Sequence, residues 1–333
     1  MIILNILGYI IKISSNDDNI LSRLKMDFEY FLADSHGQNI VQLSINSELA
    51  VNKPTIIIPK NLTPLYQRQN SITYEEDGVR YNDYYGIVVS EFNAEKKTAF
   101  ISGIDLDKLY EITYLLILSR SAKFADVAGF HKIHAFSIVQ NGKGLICMQP
   151  MRGGKSTLFT QIVLNHNVEI GSDDTPVLNQ RGQLLAFPLR VSLDVIPPGL
   201  GLTDKDFYLM KREFYKAKYS LSLKNFNKKI SEVCNDFVFV EAHRSTFDEP
   251  RLVKMSRLRL LKRLFQHMVI GFGLPIIFEY FWESGSKDFF IKTTIFMKRF
   301  LLSLKLVFTK KSYDLYLCSD SKKNAEAILS LVK

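Results

Sequence analysis

Residues 144–157 read Gly-Leu-Ile-Cys-Met-Gln-Pro-Met-Arg-Gly-Gly-Lys-Ser-Thr, an apolar run that breaks into a glycine pair, a lysine and two hydroxyls. Few local patterns restrict a fold as much as this one. Gly144–Gln149 has the length and composition of a buried strand, and Lys155–Asn165 carries Leu158, Phe159, Ile162 and Val163 at helical spacing. A strand, a glycine-bearing loop and a helix in that order put the loop at a helix N-terminus, where successive N–H groups and the helix dipole favour an anion.

The phosphate-loop pattern G-x-x-x-x-G-K-[S/T] is met at Gly154, Lys155 and Ser156, with Gln149 in place of the first glycine. Position 149 only turns the chain into the loop, so this exchange removes no phosphate ligand. In this reading the backbone from Gly153 through Thr157 cradles the phosphates of ATP. Lys155 reaches the β- and γ-phosphates, and the Ser156 hydroxyl completes the shell of a Mg²⁺ ion. The plain alternative is a glycine-rich helix entry with a solvated lysine. The strand before the loop and the apolar-faced helix after it argue for the nucleotide reading.

The next strand, Val168–Gly171, ends in Ser172-Asp173-Asp174-Thr175-Pro176, with the aspartates 18 and 19 residues after Lys155. An acidic residue ending a strand beside such a loop can hold Mg²⁺, and a second can take the proton of an attacking hydroxyl. The same composition also makes a turn. Asp174 is assigned the base and Asp173 the metal, although the reverse order satisfies the chemistry equally. His134 opens the strand preceding the loop strand, and His131 is as eligible on chemistry alone.

Together these segments resemble the catalytic core of the HPr kinase/phosphorylase family, bacterial serine kinases that share their nucleotide site with phosphoenolpyruvate carboxykinase. There a His opens a strand, a hairpin and an apolar strand follow, and then come the loop and a strand ending in paired Asp. His134, Lys155 and Ser156 fall on those positions without a gap, and Asp173-Asp174 fall within one residue. The resemblance covers residues 130–190, and as fold reaches across 104–333. It implies a mixed α/β P-loop core, ATP and Mg²⁺ as cofactors, and His134 orienting or pairing with the acidic group. Two departures set the chain apart: Gln149, and Phe187-Pro188-Leu189-Arg190 where the bifunctional enzymes carry Glu-Arg-Gly-Leu-Gly-Ile. The chain is therefore more similar to the divergent HPr-kinase-like proteins of peptide-modification gene clusters, such as those that phosphorylate a serine of a lasso-peptide precursor. The expected activity is an ATP-dependent kinase acting on a serine of a peptide or small protein. A small-molecule alcohol or sugar kinase is the first rival, and a nucleotide-binding regulatory module without turnover the second. The paired Asp speaks against the second rival, because a binder needs the loop but no base.

Organisation follows the same division. Residues 1–103 read as a β-rich domain and residues 104–333 as the nucleotide-binding domain, with a soft boundary near Gly103. Ile2–Ile13 reads as one strand and Ile20–Leu32 as a helical stretch begun by Asn16-Asp17-Asp18. The runs Tyr84–Phe92 and Lys97–Ser102 read as a hairpin, and Asp105 opens a long helix. His134–Gln140 pairs with Gly144–Gln149 across an Asn141-Gly142 turn. The tail, 201–333, reads as mostly helical, with helices over Asp204–Tyr215, Met255–Met268, Ile291–Phe308 and Lys322–Val332 and strands at Asp236–Val240 and Asp314–Cys318.

Composition narrows the partners. Hydrophobic residues make up 47% of the 333, including 24 Phe and 15 Tyr, which is core enough for an ordered protein. No apolar span reaches the roughly 20 residues of a membrane helix; the longest runs are Met1–Ile11 and Met268–Phe278. Met1–Ile11 lacks signal-peptide features, so a soluble, cytoplasmic chain is expected. Cys147, Cys234 and Cys318 lie far apart with no CxxC, so neither a disulfide framework nor a structural zinc site is expected, and Cys147 should be buried and inert. The net charge of +9 is uneven: residues 201–333 hold 25 Lys/Arg against 14 Asp/Glu, while residues 1–200 hold 18 against 20. A basic half attracts anions, but no nucleic-acid-binding signature accompanies it. A homo-oligomer is compatible with the pattern. Arg152, Arg190 and Arg212 are candidates to neutralise a transferring phosphoryl group, against the commoner role of surface arginines. Glu241 and His243 follow a strand and are given no role.

Overall fold

The computed structural model describes residues 1–34, 40–150, 153–197, 200, 202–211, 216–271, 282–283 and 285–333. They form a mixed α/β protein of two compact units, Met1–Phe124 with Glu279–Asp288, and Ala125–Phe278 with Phe289–Lys333. Among the described residues no helix is long and apolar enough to cross a membrane. Arg152 and Arg212 lie outside the described residues.

The first unit is built on an eight-stranded sheet. Its strands are β1 (Ile2–Ile6), β2 (Tyr9–Ser15), β3 (Leu43–Leu49), β4 (Tyr66–Gln67), β5 (Ile72–Glu76), β6 (Val79–Asp83), β7 (Val88–Asn93) and β8 (Thr98–Gly103). They lie in the order β1-β2-β3-β8-β7-β6-β5-β4. The single strand expected over Ile2–Ile13 is corrected: Leu7 and Gly8, at φ +52° and +89°, fold it into the antiparallel β1–β2 hairpin. Helix α1 (Asp18–Asp27) starts at Asp17, whose carboxylate accepts the Asn19 and Ile20 N–H groups. Helix α2 (Leu106–Val127) is opened by Asp105, which accepts from the Lys108 N–H at 2.7 Å. The return of Glu279–Asp288 to this unit has a physical cause. Lys123 bonds Asp288 at 2.6 Å and pairs with Glu283, and Trp282 meets Phe92 edge-on at 6.1 Å.

The second unit carries β9 (Phe130–Lys132), β10 (Phe136–Gln140), β11 (Lys143–Met148), α3 (Lys155–Asn165), β12 (Glu169–Ser172), β13 (Val177–Asn179) and β14 (Leu184–Leu185). Then follow β15 (Val191–Leu193), β16 (Phe207–Met210), β17 (Lys218–Leu221), β18 (Phe237–Arg244), β19 (Arg251–Lys254) and α4 (Arg257–Leu264). The last elements are α5 (Ser286–Thr309), whose first residues belong to the first unit, β20 (Ser312–Leu317) and α6 (Ser321–Leu329). The central sheet has the order β12-β10-β11-β18-β20-β19. β11, β18 and β20 run parallel, and β12 shares their direction because β10 is antiparallel to both β11 and β12. Both faces of β11 are buried. Ile146 and Met148 join a core with Phe237, Phe239, Leu260, Leu264, Leu302 and Leu306, so α4 and α5 cover that face. On the other, α3 packs through Phe159 against Phe136, ring to ring at 5.7 Å. Helices on both faces of this mixed sheet, where β11 is parallel to β18, explain why Gly144–Gln149 reads as an unbroken apolar run.

The mostly helical tail is corrected. Residues 201–333 also supply β16 to β20, two of them in the middle of the central sheet. The helix expected over Asp204–Tyr215 is instead a strand at Phe207–Met210, paired antiparallel with β17, and residues 212–215 lie outside the described residues. Aromatic Phe207 and Tyr208 suit a pleated surface, and antiparallel pairing with the next strand, β17, overrides the weak helical spacing.

Candidate functional site

Because β12, β11, β18 and β20 point the same way, their carboxyl ends form one edge of the sheet. In open α/β sheets the crevice outside that edge is where ligands bind. His134, the Gly153–Ser156 stretch and the two aspartates arrive there by separate local causes. β11 ends at Met148 and delivers the loop; β12 ends at Ser172 and delivers the aspartates; β10 runs the other way, so its entry, with His134, lies at the same edge.

The loop is shaped for close backbone approach. Gly154 caps α3 at φ +99°, a conformation that disfavours side chains, and no side chain caps the helix. A Cβ on Gly153 would come within 2.8 Å of the Pro150 carbonyl oxygen. The first-turn amides of α3 are therefore left facing outward for an anion. Gln149 is buried beneath the loop, its Nε2 3.5 Å from the Gly153 carbonyl and its Oε1 without a hydrogen-bond partner.

Two consecutive helix residues face two consecutive strand-end residues. Lys155 pairs with Asp174, and the Ser156 hydroxyl donates to Asp173 Oδ2 at 3.4 Å. His134 Nε2 lies 3.5 Å from Asp174 Oδ1. The backbone fixes this: the Ala135 N–H donates to the Asp174 carbonyl and the Ile133 N–H to the Pro176 carbonyl, both at 3.0 Å. Ser172-Asp173-Asp174-Thr175 is at once a turn, closed by the Thr175 N–H on Ser172 Oγ at 3.1 Å, and an acidic pair aimed at the loop. His131 goes elsewhere, bonding buried Asp126 at 2.6 Å.

The two carboxylates differ in surroundings. Asp173 is 5% exposed and its Oδ1 has no hydrogen-bond partner; burial, then the neighbouring Asp174 charge, push its carboxyl up to about 7, against the pull of Lys155 and Ser156. Asp174 keeps 47% of its side chain exposed. The walls around it raise its carboxyl, but the Lys155 ammonium and the bond from His134 outweigh them and hold it well below the usual range. A buried acid with an idle oxygen beside a hydroxyl is a fit for a divalent cation, which supplies the charge that burial withholds.

Residues that the sequence left unassigned complete the edge. Glu241 on β18 pairs in register with Met148 and with Asp314 of β20. His243 Nε2 lies 2.8 Å from Asp314 and 3.3 Å from Glu241, and its imidazole is pushed up by Glu241, with burial opposing. Arg263 bonds Glu241 at 2.7 Å and Arg259 bonds Asp314 at 3.0 Å, so guanidinium groups already answer this acidic cluster. His267, in the π-helical turn Phe265–Ile270 after α4, is 6% exposed and accepts the His134 N–H on its carbonyl at 2.9 Å. Such turns occur often at functional sites. The one available signal for His267 was a polar residue inside an apolar helical run. Arg190 is occupied with Tyr208, its Nη1 2.7 Å from that hydroxyl. Cys147 is fully buried, and burial pushes its thiol up, which fits an inert residue.

A cleft of about 470 Å³ opens beside the loop, walled by Gly154, Thr157, Arg244, Phe247, Cys318 and Asn324. Arg244 Nε donates to the Gly153 carbonyl at 3.2 Å, tying the end of β18 to the loop. Phe247 is 37% exposed at the cleft, with Arg251 stacked 4.2 Å from its ring. No protein-family model matches the chain, and no curated protein matches it either. The geometry therefore carries the functional argument.

Proposed function

We propose that the chain is an ATP-dependent kinase that transfers the γ-phosphoryl group to a hydroxyl, with a serine of a peptide or small protein as acceptor. The observation that carries this reading is the meeting of Lys155 and Ser156 with Asp174 and Asp173 at the carboxyl edge of the sheet, beside a left-handed Gly154. A P-loop kinase core of the HPr-kinase type accounts for that arrangement.

In this reading the α3 amides and Lys155 hold the β- and γ-phosphates, and the adjoining cleft, which Phe247 lines, takes the nucleoside. Ser156 and Asp173 hold Mg²⁺, which neutralises charge on the phosphate oxygens when bound. Asp174, ionised and half-exposed, accepts the proton of the acceptor hydroxyl as its oxygen bonds the γ-phosphorus and ADP leaves. His134 fixes the carboxylate's direction. The division of roles follows access: an incoming hydroxyl can reach Asp174, whereas Asp173 is buried against Ser156.

The test is incubation with γ-labelled ATP, Mg²⁺ and the peptides encoded beside the gene. Label on a serine of one of those peptides supports the proposal. Label on a small alcohol or sugar moves the acceptor class, and nucleotide binding without transfer to any hydroxyl overturns the kinase reading.

A further inference from the structure

The basic charge of the second half has a defined place. From Arg251 to Phe278 the chain holds six Lys/Arg and no Asp/Glu, and from Phe289 to Tyr313 again six and none. These stretches contain α4 and most of α5. Between the two helices lies a groove of about 600 Å³ with an apolar floor of Leu258, Leu261, Phe265 and Phe300 and with Arg259 and Lys262 on its rim. Leu258 is 78% exposed, and Phe308, 67% exposed, carries apolar surface onward beneath the Arg257 guanidinium, 5.3 Å from its ring.

An exposed apolar floor with a cationic rim costs free energy in water unless something covers it. Its charge selects the occupant. A second copy of this chain would bring like charge to like through the same face. A lipid surface is planar and would rest on the rim rather than fill a groove between helices. An amphipathic segment with apolar anchors and acidic flanks matches both features, in the manner of a helix lying in a groove. The groove also adjoins the candidate site. Arg259 on its rim bonds Asp314, which neighbours Glu241 on the next strand, and Glu241 neighbours Met148 at the entry to the loop. At about 4.8 Å per strand, that path is on the order of 10 Å.

We infer that the groove between α4 and α5 docks an acidic, apolar-anchored segment of the peptide acceptor, separate from the residue that receives the phosphoryl group. The identity of the occupant as acceptor rests on the kinase reading. The groove's preference for acidic peptide stands on its own geometry.

The experiment is selection from a displayed random library of about 16-residue peptides, long enough for roughly four helical turns, on the immobilised full chain. Recovered peptides are then measured against the parent, Leu258→Asp and Lys262→Glu. Both substitutions are on exposed positions, and melting curves check that the fold is kept. Expected are acidic peptides with Leu, Ile or Phe at helical spacing, whose affinity falls at least about tenfold in each variant and falls again with added salt. No enrichment, recovered peptides without that pattern, or undiminished binding by both variants overturns the proposal. So does binding to phosphatidylglycerol vesicles that the variants abolish while peptide binding persists. The melting shift with Mg-ATP is followed in parallel. A parent that binds the peptides but shows no nucleotide shift refutes the kinase reading and leaves the groove standing.

Discussion

The Ser156 hydroxyl stands 3.4 Å from Asp173 Oδ2, and the residue before Ser156, Lys155, pairs with the residue after Asp173, Asp174. The first turn of α3 is thereby joined to the end of β12 by two part-buried contacts of different chemistry, one hydroxyl-to-acid and one ionic. In the proposed reading a phosphate group competes with Asp174 for Lys155, while at Asp173, whose Oδ1 has no hydrogen-bond partner, a cation takes the place of the proton that a carboxyl pushed up to about 7 retains. In that reading the four side chains separate anion binding from cation binding across neighbouring positions.

Lys155→Ala removes the one side-chain cation placed on the β/γ-phosphates under the proposed reading. Parent protein should gain about 2–3 kcal/mol of stability at a hundredfold excess of Mg-ATP over its dissociation constant. The variant should melt normally without nucleotide, lose most of that gain and transfer no label. Melting curves with and without Mg-ATP, alongside label transfer, check it. Undiminished transfer in a normally melting variant would overturn the loop assignment.

The aspartates should part in their phenotypes. Asp174→Asn keeps shape but accepts no proton, and loss of a general base costs about 10²–10⁴-fold in rate with nucleotide affinity little changed. Asp173→Asn should instead raise the Mg²⁺ concentration needed for transfer and weaken Mg-ATP binding. Mg²⁺ titrations of the rate, with calorimetry for binding, separate the two. Parental rates in both variants would leave Ser172–Pro176 as a turn only.

His267 sets an acid limit on stability. Burial, then the neighbouring His134 charge, push its imidazole down to about 4, against about 6.5 in an unfolded chain. Between those values the unfolded chain binds a proton that the folded one refuses. The contribution is fully present above pH about 6.5 and is lost as pH falls toward 4, by at most about 1.4 kcal/mol per pH unit. Urea midpoints at pH 7 and pH 5 should fall further in the parent than in His267→Gln. Equal acid sensitivity in the two proteins would refute the assignment.

Arg299 is fully buried and bonds Asp126 through Nε at 2.9 Å and the Met268 carbonyl through Nη1 at 2.7 Å. Arg299→Met removes the guanidinium that answers the buried Asp126 carboxylate, leaving the neutralisation of that charge to groups such as His131, and frees the turn that carries His267, at a cost of about 3–5 kcal/mol. Replacing Asp126 by Asn in the same chain should recover part of that loss, because the buried charge is then gone. Denaturant unfolding of the single and double variants measures it. A double variant less stable than Arg299→Met by the full cost of a second independent lesion would show that the pair is not coupled.

Much of the candidate site was legible in the chain because local chemistry writes it there. The glycine pair and Lys155 at a helix entry, the Asn141-Gly142 hairpin and the acidic end of the strand after α3 each express a backbone requirement within a few residues. His134 needed the resemblance, since nothing local distinguishes it from His131. The structure separates them by direction: His131 turns to Asp126, and His134 to Asp174.

Other features were decided only by tertiary structure. Glu241, His243 and Asp314 meet because β11, β18 and β20 pair in parallel, and parallel register is set by which strands the crossover helices bring together, not by spacing in the chain. The strand at Phe207–Met210 exists because β17 offers it a ladder, which no periodicity in that segment announces. Glu279–Asp288 joins the first unit through Lys123, a partner more than 150 residues earlier. Propensity, caps and turns act over one or two helical turns and are written locally. Pairing across the chain depends on the whole core being buried at once, so it is written in no single segment.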